Sequence, residues 1–154
     1  MIERDDLTAE DTRGLIALHL AEMHAHSPPG SVFALDASGL GGPEVSLWTA
    51  RIDFEAVGMI ALKVLGDDAG EIKSMRVRSD RLRQGIGAAL LETVVAEARR
   101  RGYRRLSLET GAGPSFAASH HRGVDARAGP PGVEGISDQS AVRCRLPETL
   151  RPRA

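Results

Sequence analysis

The stretch RSDRLRQGIGAALLETVVAEARRRGY, residues 78–103, places two glycines around one isoleucine and then continues as an amphipathic helix that ends at Gly102. Its apolar residues recur with i, i+4 spacing: Ile86, Leu90, Val94 and Ala98. Gly85 and Gly87 stand at the start of this helix, where the first N–H groups lack intrahelical acceptors and the helix dipole is positive. A bare backbone at such a point allows a phosphate to approach closely, so the stretch predicts an anion-binding helix start.

The segments on both sides of this helix have the pattern of strands. Residues 71–77, EIKSMRV, alternate, which places one set on one face (Ile72, Ser74, Arg76) and the other set on the opposite face (Glu71, Lys73, Met75, Val77). Residues 104–110, RRLSLET, form the next predicted strand. A strand, a helix and a strand in this order predict parallel strands joined by a right-handed crossover.

Upstream, the chain predicts a helix, a long loop and a hairpin. Apolar spacing from Leu15 to Met23 indicates a helix of about four turns that ends before Pro28. Residues 27–44 are rich in glycine and proline, and a loop of that length is often a functional lid. The apolar, β-branched segments 45–52 and 56–65 are separated by a hairpin-length gap and predict antiparallel strands.

The length, charge and cysteine content of the chain exclude several classes of protein. A chain of 154 residues, 42% of them hydrophobic, is the size of one domain, and its net charge of −1 argues against nucleic-acid and membrane-surface partners. The charged N-terminus and the lack of a long apolar run predict a cytoplasmic protein. Cys144 is the single cysteine, and no Cys/His spacing or histidine grouping indicates a metal site.

After Ser119 the character of the chain changes. Residues 120–154 contain no aromatic residue, and only residues 141–146 alternate as a strand would. Such a segment is expected to be weakly structured. The sequence therefore predicts a core over residues 1–118 and an atypical tail over residues 119–154.

Three segments of the chain resemble the core of the GNAT superfamily of acyl-CoA-dependent N-acetyltransferases: GEIKSMRV, RQGIGAALLE and GYRRLSLETG. A fourth segment, SPPGSVFALD, is similar to the acceptor-side loop of that superfamily. The resemblance covers roughly residues 1–118. The family's phosphate motif is Gln or Arg, two residues, Gly, one residue, then Gly or Ala. Leu82 occupies the first position here, with Arg81 and Arg83 on either side. The resemblance implies an α/β (α+β) fold: a mixed sheet with a central β-loop-α-β unit that binds acetyl-CoA, and C-terminal strands missing or altered.

The resemblance also implies the chemistry. Acetyl-CoA would serve as co-substrate, and a small-molecule amine or amino group would attack it directly, with no metal; a homodimer is left open. The donor site implied is Met75, Arg76, Val77, Arg83, Gln84, Gly85, Ile86, Gly87 and Ala88. Glu71 and Glu109 are the candidates for the general base, acting through water.

The general acid is where the chain departs from the family. Family members usually carry a tyrosine on a helix after the fifth strand, whereas no tyrosine follows Tyr103 here. Eighteen of the 20 basic residues are arginines, as a G+C-rich gene would encode. We hypothesise that the chain from about His120 is a frameshifted or otherwise replaced C-terminus, which leaves His120 or His121 as less suitable acids.

Two alternatives to an active enzyme remain. One is a catalytically impaired module that binds CoA without turnover. The other takes residues 99–105 as a basic nucleic-acid face, although the charge balance and the lack of interleaved aromatic residues favour a solvated helix end.

Overall fold

A computed structural model describes residues 1–26, 36–109 and 141–145. Its helices and strands, in chain order, are β1 (Ile2–Asp5), α1 (Glu10–His26), α2 (Ala37–Leu40), β2 (Val45–Ile52), β3 (Glu55–Gly66), β4 (Ala69–Val77), α3 (Ile86–Arg100), β5 (Arg105–Glu109) and β6 (Ala141–Arg145). A short 3₁₀ turn, Ser79–Arg81, follows β4. The helices and strands predicted from the sequence are thereby confirmed.

The described strands form one six-stranded sheet in the order β1-β2-β3-β4-β5-β6. Every neighbouring pair is antiparallel except β4 and β5, which are parallel. Parallel neighbours require a crossover, and α3 supplies it. The predicted mixed sheet and its central strand-helix-strand unit are both confirmed.

Among the described residues, α3 covers one face of the sheet, and α1 covers the other together with the short helix α2. Leu90 and Val94 of α3 are fully buried in a cluster with Trp48 and Ile60. Ile16 of α1 lies in a second cluster with other apolar side chains, Leu15, Leu40, Leu47, Met59 and Ala61. Because neighbouring residues of a strand point to opposite faces, as at positions 47 and 48 of β2, the two clusters lie on opposite sides of the sheet.

A bulge in β4 changes which side chains face α3. Ser74 has a φ of 51°, and the pairing with β3 shifts register at this point. Met75 and Val77 therefore pack on the α3 side together with Ile72. Arg76 lies on the α1 side, where it pairs with Glu22. The predicted grouping of Ile72 with Ser74 and Arg76 is wrong, because one inserted residue reverses the alternation.

The predicted loop 27–44 includes the single-turn helix α2. Asp36 caps this helix, since its Oδ1 accepts a hydrogen bond of 2.8 Å from the N–H of Gly39. Leu40 is buried on the α1 side of the sheet. Residues 27–35 lie outside the described residues, so the lid function stays a prediction.

Strand β6 comes from the segment 119–154. Its Ala141 pairs with Glu109 and its Arg145 with Arg105, in antiparallel register with β5. The alternating patch at 141–146 is thus confirmed as a strand that extends the sheet. His120, His121 and the rest of this segment lie outside the described residues, and the division at residue 118 stays a prediction.

Candidate functional site

The loop between β4 and α3 presents unsatisfied backbone donors. Arg83 and Gly85 both have left-handed backbones, with φ of 62° and 78°. Gly85 is the N-cap of α3, and the carbonyl oxygen of Gly85 accepts the first helical bond, 3.0 Å from the N–H of Ala89. The N–H groups of residues 86–88 consequently have no acceptor within the helix. The alternation of left-handed residues before a helix start is typical of an anion-binding backbone concavity.

Gly87 brings this helix start against the end of β4. A Cβ atom on Gly87 would lie 3.5 Å from Met75 Cε and 3.7 Å from Val77 Cγ2. These are ordinary van der Waals distances, so α3 has no room for a branched side chain here. The glycine serves the close approach of α3 to β4, and its missing side chain faces the strand.

Among the described strands, none pairs with the outer edge of β4 next to these donors. Strand β5 pairs with β4 only along residues 69–72, whereas β4 continues through Val77. On its other edge β4 remains paired with β3, since Val77 lies opposite Gly58 and Arg76 opposite Met59. Within the described part of the chain, backbone groups of residues 75–77 that point away from β3 face no neighbouring strand, and a ligand can pair with them along this edge.

The arginines of the loop differ in how far their charge is matched. Arg78 pairs with Asp80 at 2.9 Å and with Glu55 at 3.1 Å. The hydrogen bond from Arg78 lowers the pKa of Asp80, so both groups stay charged at neutral pH. Arg81 Nε lies 3.7 Å from Asp80 Oδ2. Arg83 is exposed and forms no ion pair with any described residue, which leaves its charge for an anion.

Of the two candidate bases, Glu71 is already engaged. It is buried on the α1 side of β4, and its Oε1 lies 2.7 Å from Lys73 Nζ. It precedes Met75 by four residues, roughly 13 Å along an extended strand. Glu109 is the last residue of β5 and follows Leu108, which forms the last β4–β5 pair with Ile72. The side chain of Glu109 lies outside the described residues.

Sequence reasoning missed Glu22. This residue of α1 forms an ion pair with the buried guanidinium of Arg76. The available signal was the position of Glu22 beside the buried stripe that contains His19 and Met23. A carboxylate at the margin of a buried helix face favours a partner on the sheet beneath it.

Three of the five arginines in the basic segment 99–105 form ion pairs with acidic neighbours. Arg100 and Arg101 both pair with Glu97, at 2.7 Å and 2.6 Å, and Arg105 pairs with Asp68 at 3.1 Å. A nucleic-acid backbone would have to compete with these carboxylates for the three arginines.

A separate cavity of about 460 Å³ lies between β1, β2 and the turn after α2. It is lined by Arg4, Asp6, Leu40, Pro43 and Ser46, among others. None of the predicted site residues lines it, so it is distinct from the donor site. Within the described part of the chain, no three His, Cys, Asp or Glu side chains are grouped to hold a metal ion. No described helix has the length and apolar character needed to cross a membrane.

The sequence was also compared with known proteins. The model of the acetyltransferase (GNAT) family matches residues 12–120. The "Uncharacterized N-acetyltransferase YsnE" of Bacillus subtilis (strain 168) is 45% identical over 115 residues, 75% of this chain and 76% of the relative. The "Uncharacterized N-acetyltransferase YedL" of Escherichia coli (strain K12) is 40% identical over 119 residues, 77% of this chain and 75% of the relative.

Solved structures share the fold. A GNAT family acetyltransferase from Elizabethkingia anophelis with acetyl-CoA bound has a TM-score of 0.61 at 17% identity, over 95% of this chain and 97% of that one. An aminoglycoside 6′-N-acetyltransferase complexed with coenzyme A has a TM-score of 0.67 at 17% identity, over 99% of both chains. The mixed sheet, the β4–α3 unit and the family match together show that this chain belongs to the GNAT acetyltransferase family and is an acetyl-transferring enzyme.

Proposed function

We propose that the protein transfers an acetyl group from acetyl-CoA to the amine of a small molecule or an amino group, by direct attack. The observation that carries the proposal is the contact between the start of α3 and the end of β4 that extends beyond β5. It places the N–H groups of residues 86–88, which have no acceptor within the helix, beside residues 75–77 of β4. A ligand with a diphosphate at one end and amides along its arm fits this arrangement.

The residues of the site have separate tasks in this proposal. The amides of residues 86–88 bind the diphosphate, and exposed Arg83 adds a positive charge beside them. Gly85 permits the left-handed turn that starts the helix, and Gln84 lies within that turn. The main chain of residues 75–77 pairs with the pantetheine arm and orients the thioester.

Acetyl-CoA supplies an activated thioester when it is bound. The acceptor nitrogen forms the new C–N bond as the C–S bond breaks, the nitrogen loses a proton, and the thiolate gains one. We propose that a backbone N–H of β4 polarises the carbonyl oxygen. Glu71 and Glu109 remain the proposed bases, each through water, and the ion pair with Lys73 fixes the orientation of Glu71.

A second candidate function follows from the missing acid. The chain contains no tyrosine after Tyr103, and its C-terminal segment departs from the family pattern. The result would be a protein that binds CoA but transfers the acetyl group slowly. Loss of a positioned general acid typically lowers the reaction rate by about 10² to 10⁴. Binding in this case is normal and only the chemical step is affected.

Two measurements on the full chain test these functions. Isothermal titration with acetyl-CoA should show saturable binding, and a thiol-release assay against a broad amine panel should show acetyl transfer. Binding with turnover supports the enzyme, whereas binding without turnover supports the impaired module. Absence of binding would refute both. Restoring a tail that carries the tyrosine helix and two closing strands should raise a slow rate.

A further inference from the structure

Arg76 lies between the proposed donor site and the α1 face of the sheet. It belongs to the part of β4 that extends beyond β5, where it pairs with Met59 of β3 and its side chain points to the α1 face. The opposite face is covered by α3, whose packing against Met75 and Val77 closes that approach. As far as the described residues define the two faces, an acceptor therefore approaches a thioester on the β4 edge from the α1 side, where the guanidinium of Arg76 lies.

The hydrogen bonds of this guanidinium are incomplete. The side chain of Arg76 is only 3% exposed, and its Nη2 donates to Glu22 Oε1. Its Nε is buried and has no hydrogen-bond partner among residues 1–26, 36–109 and 141–145. The N–H groups on Nε and Nη2 point in the same direction and match the two oxygens of one carboxylate. Glu22 thus engages Nη2 and leaves Nε, a buried donor of a charged group, unsatisfied within the described residues.

Glu22 can leave this edge at small cost. Its side chain is 40% exposed, so the carboxylate remains in contact with water when it moves away from Arg76. Arg76 has no such route to solvent, and a second carboxylate would have to replace the first. A replacement that binds through both oxygens would satisfy Nε as well as Nη2.

We infer that the acceptor amine carries a carboxylate, which replaces Glu22 on the Nε/Nη2 edge of Arg76. The inference rests on the proposed N-acetyltransferase function and narrows its substrate class to amino acids and similar carboxylated amines. The ammonium group of such an acceptor compensates the charge of the displaced Glu22. Arg76 is then a specificity-determining residue, and the competing interpretation is a purely structural tie between α1 and β4.

The test uses pairs of acceptors that differ only in the carboxylate. Leucine is compared with 3-methylbutylamine, phenylalanine with 2-phenylethylamine, and methionine with 3-(methylthio)propylamine, all at saturating acetyl-CoA. The carboxylated member of at least one pair should have a kcat/KM higher by about tenfold or more, as expected for a hydrogen-bonded charge pair. Arg76→Met should remove that preference. Arg99→Met, at an exposed arginine near the far end of α3, should leave it intact.

Direct binding separates this inference from the proposed function. Amino acids titrated into the CoA-saturated protein should bind, and Arg76→Met should abolish the binding. If they bind but no acetyl transfer occurs, the proposed activity is refuted and the inference about Arg76 still holds. Equal turnover of both members of every pair, or no amino-acid binding, would overturn the inference. If Arg76→Met does not fold, Arg76→Lys decides, because it keeps the charge but loses the two-donor edge. An unchanged preference in Arg76→Lys would also contradict the assignment.

Discussion

Replacing Gly87 tests whether α3 must lie against β4 for acetyl-CoA to bind. In Gly87→Ala the new Cβ meets Met75 and Val77 at 3.5 Å and 3.7 Å, so it fits without movement. In Gly87→Val the two further methyl groups exceed the available space, and overpacking of this kind costs about 1–3 kcal/mol. The free protein relieves this strain by moving the first turn of α3 away from β4. In the complex with acetyl-CoA this movement is not possible, because the ligand has to contact the amides of α3 and the edge of β4 at the same time.

The expected weakening of acetyl-CoA binding in Gly87→Val is therefore roughly 5- to 150-fold, the equivalent of that strain. Isothermal titration measures it, with Gly87→Ala expected to bind like the wild type. Gly14→Val is the matched control, since a Cβ at Gly14 of α1 has no neighbouring atom within 4 Å. If a folded Gly87→Val bound acetyl-CoA with unchanged affinity, the packing argument and the site assignment would both be refuted.

Three further predictions concern charge, pH and the tail. Arg83→Gln should weaken acetyl-CoA binding about two- to tenfold and reduce its salt dependence, whereas Arg99→Gln should leave the Kd unchanged in the same titration. The hydrogen bonds from Arg100 and Arg101 lower the pKa of Glu97 from 4.5 to about 2. The ion pairs of charged Glu97 therefore stabilise the folded protein by about 1 kcal/mol after solvent screening. This contribution is present above pH 4.5 and is lost as the pH falls towards 2. The free energy of unfolding of wild type and of Glu97→Gln should therefore become more similar as the pH falls from 4.5 towards 2. The difference between wild type and Glu92→Gln, at an exposed residue, should not change with pH in this way. Limited proteolysis should cut first after about residue 118, and early cleavage within residues 71–110 would contradict the predicted division of the chain.

Periodic features of this chain could be predicted from its sequence. The spacing of Leu90, Val94 and Ala98 identified the buried face of α3, and those three residues are fully buried. The predicted strand 45–52 has the same bounds as β2. Parallel pairing of β4 and β5 followed from the helix between them, because such strands need a crossover.

Non-periodic and long-range features could not be predicted in this way. The bulge at Ser74 adds one residue and produces no repeating signal, so the faces of the following residues were assigned wrongly. The ion pair between Glu22 and Arg76 joins residues 54 positions apart, and no local pattern links them. The pair of Glu71 with Lys73 required knowledge of side-chain direction on the buried face of β4. The start of α3 at Gly85 was predictable because backbone geometry at a helix start depends on local sequence.

The most direct test of the donor site is a titration of the ¹⁵N-labelled protein with two ligands, followed by backbone amide NMR. Acetyl-CoA should shift the amide signals of residues 75–77 and of residues 86–88. Acetyl-pantetheine, which lacks the diphosphate, should shift those of residues 75–77 and leave the amides at the start of α3 nearly unchanged. Main shifts at the cavity beside Arg4 and Ser46, or shifts at residues 86–88 of equal size with both ligands, would contradict the proposed site.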